Sequence, residues 1–138
     1  MPKRILIPID GSPQSAQAIE FALAEWPDAE LTLLHVINPA EAASSPGAGV
    51  PSGAEQWFEN AKADSETLLA EATPPGATVS TMTEVGRPAQ AIVEVAEEAG
   101  FDHIVMGSHG RTGVSRIILG SVAEAVVRNA TVPATVVR

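Results

Sequence analysis

The chain has 138 residues, 45% of them apolar, a net charge of −9 and no cysteine. That is one domain's length with enough apolar residues for a core, and it excludes disulfides, thiolate metal sites and wholesale disorder. The acidic balance argues against general binding to nucleic-acid phosphates, and no run approaches the ~20 apolar residues of a membrane span.

The first apolar run, KRILIPI at residues 3–9, is too short for a signal-peptide core, so a cytoplasmic location is expected. Apolar almost throughout, it predicts a strand covered on both faces. Gly11-Ser12-Pro13 then turns the chain, with Ser12 suited to cap a helix and Pro13 to its first position. Ile19, Ala22, Leu23 and Trp26 form the apolar stripe of that helix, which ends near Pro27. A second strand is predicted over residues 30–36, followed by a Pro-, Gly- and Ser-rich segment, 39–53, that reads as a mobile loop. A second helix covers about 54–72, and residues 77–83 form the third strand. Gly86-Arg87-Pro88 opens a helix with the stripe Ile92, Val95, Ala96 and Ala99, closed by Gly100. Residues 103–106 form a fourth strand, 121–129 a short helix and 133–138 a last strand. Alternating strands and helices predict a single α/β domain, a parallel sheet with helices on both faces.

Charge is unevenly placed. Residues 1–105 carry sixteen acids against four Lys or Arg, whereas residues 106–138 carry Glu124 against Arg111, Arg116, Arg128 and Arg138. The basic segment contains GSHGRTGVSRIILGS, residues 107–121, directly after the fourth strand. Ligands of such sheets bind beyond the carboxyl ends of the strands. Gly107 and Gly110 permit positive φ and close backbone approach, and Gly120-Ser121 opens a helix whose first amides and dipole favour an anion. A phosphate group is the expected ligand. The P-loop pattern is excluded because no lysine lies beyond Lys62, and Gly107, Gly110 and Gly113 do not meet G-x-G-x-x-G. Taken singly, Asp10 also reads as a turn residue, Ser121 as an N-cap and the two glycines as turn formers. The clustered arginines also suit helix ends or dimer contacts. His35, His103 and His109 lack metal-ligand spacing; the first two are expected at strand ends and His109 near phosphate.

The spacing Gly107-x2-Gly110-x9-Gly120-Ser121 resembles the ATP-binding signature of the universal stress protein family, G-x2-G-x9-G-[ST]. So do ILIPIDGS at 5–12, LLHV at 33–36 and VPATVVR at 132–138, and the likeness runs through essentially the whole chain. The resemblance implies a three-layer α/β/α fold of the adenine nucleotide alpha hydrolase-like type, with a five-stranded parallel sheet in order 3-2-1-4-5. It implies that Pro8, Ile9 and Asp10 line a nucleoside pocket and that Val36 meets adenine with its backbone. Met106 and Gly107 would approach the ribose and α-phosphate, Gly110 and Arg111 the phosphates, and Gly120, Ser121 and Val122 the phosphate tail. The implied ligand is ATP, or ADP or AMP, with Mg2+ or Mn2+ held on its phosphates rather than by the protein. The family also implies a homodimer, paired through residues 132–138, whose alternating Val132, Ala134 and Val136 leave an edge to cover. The leading expectation is a nucleotide-binding stress-response module. A slow ATPase or phosphoryl-transfer enzyme and a nucleotide-free structural dimer stand as alternatives.

Overall fold

The computed structural model describes residues 2–44, 49, 52–108 and 119–138. In chain order the elements are β1 (Arg4–Pro8), α1 (Pro13–Glu25), β2 (Glu30–Ile37), α2 (Gly53–Ala72), β3 (Val79–Val85), α3 (Pro88–Glu98), β4 (His103–Gly107), α4 (Ser121–Asn129) and β5 (Ala134–Val137). The five strands form one parallel sheet in the order β3-β2-β1-β4-β5. This is the expected α/β architecture. Strand order reverses between β1 and its two neighbours, and that reversal opens a crevice at the carboxyl edge.

Side-chain alternation along β1 sorts the two cores. Ile5, Ile7 and Ile9 pack with Ala18, Ile19 and Ala22 of α1 and Leu69 of α2. Leu6, on the opposite face, packs with Leu34, with Ile92, Val95 and Ala96 of α3, and with Ala123 and Val126 of α4. A central strand apolar and buried from Ile5 to Pro8 is the consequence of helices on both faces. Arg4 ties the end of α3 to β1: its backbone N–H donates to Asp102 Oδ2 at 2.8 Å, and its guanidinium lies over the Phe101 ring and donates to the Ala99 and Gly100 carbonyls.

Helix α1 begins as read, with Ser12 Oγ accepting from Ser15 N–H at 3.2 Å and Pro13 in the first turn. Gly100, φ +72°, closes α3, although Ala99 is exposed rather than part of the buried stripe. Beyond one-residue shifts at strand ends, three placements differ from the sequence reading. β3 occupies Val79–Val85 rather than 77–83, because Ala77 N–H closes a turn on Pro74 O and the ladder to β2 continues to the Ile37–Val85 pair. Residues Pro39–Ser44, read as the start of a structureless loop, wind a 3-10 helix, with Asn38 Oδ1 accepting from Ala40 N–H. His35 lies inside β2, paired with Thr83, and not at the strand's end. Among the described residues no helix is long and apolar enough to cross a membrane.

Candidate functional site

At the carboxyl edge, the ends of β1, β2 and β4 and the starts of α1 and α4 surround a cavity of 930 Å³. This volume lies in the range of small-molecule and cofactor sites. From β1 come Pro8, Ile9 and Asp10; from β2, Val36; from β4, Met106 and Gly107; from α4, Gly120, Ser121 and Val122. Every sequence-predicted site residue that is described therefore faces one cavity. Gly110, Arg111 and His109 lie outside the described residues.

Local geometry gives each contribution a physical basis. Asp10 Oδ1 accepts from Ser12 N–H at 2.9 Å, and Gly11 follows with φ +83°. Asp10 is thus a turn residue and a cavity residue at once. Gly107 departs from expectation: it is the last residue of β4 and is not among the positive-φ glycines. What it needs is space. A Cβ there would lie 2.7 Å from Gln14 Cβ and 2.8 Å from the Gln14 carbonyl carbon, so its missing side chain admits the first turn of α1.

The start of α4 also refines the reading. Gly120, at φ −64° and ψ 158°, is the N-cap, and Ser121 is the first helical residue rather than the cap. The Gly120 amide is not free; it donates to Ser108 O at 2.7 Å, tying β4's exit to the helix start. No side chain among the described residues caps this helix. Ser121, Val122 and Ala123, whose amides begin the helix, line the cavity, which places the positive end of the helix dipole beside it.

No described lining residue is a lysine or arginine, whereas Asp10, Glu41 and Asp64 are acidic. Of the four arginines in the basic segment, Arg128 pairs with Glu124 at 2.7 Å on α4, Arg138 ends the chain, and Arg111 and Arg116 are not described. The sequence reading missed one whole wall: Trp57, Asn60, Ala61, Asp64 and Leu68 of α2. Their spacing of three, four, seven and eleven residues marks one helical face, but nothing local says that this face meets a cavity.

Beside the cavity, Ser65 of α2 is fully buried and lies 2.8 Å from His35 Nδ1 and 2.7 Å from Thr83 Oγ1. This three-residue chain sets the helix's register on β2 and β3. At the opposite sheet end His103 Nε2 bonds Thr135 Oγ1 at 2.7 Å and packs on Trp26. Burial, with a smaller effect from Lys3, lowers the His103 pKa below the usual value. Among the described residues no group of three His, Cys, Asp or Glu could hold a metal ion.

A parallel α/β sheet in this strand order, with a helix N-terminus at its carboxyl-edge crevice, defines the doubly wound α/β class. A more specific assignment follows from likeness to known proteins: the universal stress protein family model matches residues 1–138, and the chain belongs to that family. Universal stress protein MJ0531 of Methanocaldococcus jannaschii is 39% identical over 144 residues, which cover 99% of this chain and 82% of that protein. The solved structure of MJ0577, from the same organism, superposes with a TM-score of 0.76 at 36% identity, covering 99% of this chain and 96% of the other. A universal stress protein in complex with cAMP shares the fold at a TM-score of 0.66 and 23% identity, covering 99% and 97%.

Proposed function

We propose that this chain binds an adenine nucleotide, ATP foremost and ADP or AMP as alternatives, and acts as a cytoplasmic stress-response regulatory module. The observation that carries this reading is the shared cavity: Asp10 after β1, Val36 of β2 and the first residues of α4 all line it. A carboxylate suits ribose hydroxyls or the adenine edge, a strand's backbone suits a flat base, and amides at a helix start suit phosphate. The cAMP complex of a family member supports the same ligand class. Mg2+ or Mn2+ is assigned to the phosphate oxygens, and Gly110 and Arg111 to the phosphate side. The homodimer is assigned to residues 132–138, since β5 is an edge strand of the sheet. ATP turnover stays below about 1 per second.

Gly120→Asp tests the site. The backbone at Gly120 suits an aspartate N-cap, which would satisfy the α4 amides with its own carboxylate and exclude phosphate. Calorimetry should then show ATP affinity down at least tenfold while thermal stability holds or rises. Unchanged affinity would remove the α4 terminus from the site, and absence of heat from ATP, ADP and AMP on the unaltered protein would refute nucleotide binding. A monomeric mass by sedimentation would refute the dimer.

A further inference from the structure

The α2 wall of the cavity has no counterpart among the residues that the glycine signature and strand ends supply. Its position follows from the buried contact beneath it. Ser65 is level with His35 and Thr83, and α2 runs back from the carboxyl edge as the connection between parallel strands β2 and β3. Trp57 is eight residues before Ser65, which at 1.5 Å per residue is about 12 Å toward the carboxyl edge. β2 extends only two residues beyond His35, to Ile37, or about 7 Å. The first turns of α2 therefore overhang the sheet by roughly 5 Å, taking the lengths just given. Trp57, Asn60 and Asp64, on one face, line the cavity there.

The chemistry of this wall complements only one end of a nucleotide. Asp64 puts a carboxylate on this wall and no described lining residue is a lysine or arginine, so phosphate is disfavoured here and favoured instead at the start of α4. A flat ring with exocyclic N–H donors is favoured: an indole offers it a stacking face, and a carboxylate with an amide offers it acceptors.

We propose that Trp57, Asn60 and Asp64 form a base-reading wall, with Trp57 stacking on the base and Asp64 accepting from the exocyclic amine of an amino-purine. This rests on the nucleotide reading above and adds to it the residues that choose the base. It also makes Trp57 a built-in reporter, because the chain's other tryptophan, Trp26, packs against Phe21 and His103 and does not line the cavity.

The test is calorimetry with ATP and with ITP, in which the 6-amino group is replaced by oxygen, alongside tryptophan emission. The unaltered protein should prefer ATP over ITP about tenfold, the weight of one lost charge-assisted hydrogen bond. Asp64→Asn should narrow that ratio to within about threefold, because an amide can donate to the 6-oxo group. Trp57→Ala should weaken both ligands about tenfold, as expected for loss of one stacked base. ATP should change the emission of Trp26→Phe, which retains Trp57, and leave that of Trp57→Phe unchanged. Equal ATP affinity in Trp57→Ala and the unaltered protein, or an ATP preference unmoved by Asp64→Asn, overturns the base-reading wall while nucleotide binding stands. Absence of heat from ATP on the unaltered protein overturns both. Trp57 and Asp64 are partly or fully exposed, so these variants are expected to fold.

Discussion

Gly107→Ala subjects the packing at the centre of the site to a single added methyl. The new Cβ would stand 2.7 Å from Gln14 Cβ, 2.8 Å from its carbonyl carbon and 2.9 Å from its carbonyl oxygen. Ordinary contact begins near 3.4 Å, so α1 and β4 must separate by about 0.7 Å, and two of the three obstacles are backbone that cannot rotate away. Overpacking of this kind costs up to about 3 kcal/mol. The alanine recovers roughly 0.7 kcal/mol by restricting the unfolded chain. The net loss is then about 2 kcal/mol, which for a 138-residue chain lowers Tm by roughly 7 °C, taking the usual unfolding entropy per residue. Differential scanning calorimetry measures it. Gly49→Ala, where an added Cβ meets nothing within 4 Å among the described residues, serves as the control and should stay within about 0.5 kcal/mol. Because Ser12 and Ser15 of the displaced α1 line the cavity, ATP affinity should fall with stability. A Gly107→Ala protein melting within 1 °C of the unaltered one (about 0.3 kcal/mol) would refute the close-packing account and return this glycine to a purely ligand-facing role.

Ser65→Ala removes the buried hydroxyl joining His35 to Thr83 and should cost about 2 kcal/mol in urea unfolding; a change below about 0.5 kcal/mol would show that the hydroxyl does not hold α2 in register. For His103 the folded pKa is depressed, so below the unfolded value of about 6.5 the unfolded chain binds more protons. Its contribution is present above that pH and is lost as pH falls through 6.5 toward the folded value. His103→Gln should flatten that part of the stability profile, and an unaltered slope would exclude His103 as its source.

Much of the cavity lining at the candidate site was legible because the residues that form it are consecutive at the ends of strands. Pro8, Ile9 and Asp10 end one apolar run, Met106 and Gly107 end another, and Gly120-Ser121 opens a helix, so their direction follows from strand and helix boundaries alone. Ser12-Pro13 was equally readable, since an N-cap bonds within its own turn. The third strand was misplaced by two residues because an edge strand's limits follow its ladder to β2, and β3 is half exposed with little apolar contrast to mark its ends.

Sequence by itself determined the element order, the helices on both faces and the family, because strand and helix periodicities and the glycine spacing are short-range properties. Tertiary structure alone decided the role of Gly107, whose neighbour Gln14 lies 93 residues away, and the place of α2, whose overhang depends on Ser65 seating between two strands. Burial of a polar side chain and contact between distant backbones are properties of the packed interior. They exist only once the sheet and its helices have closed around them.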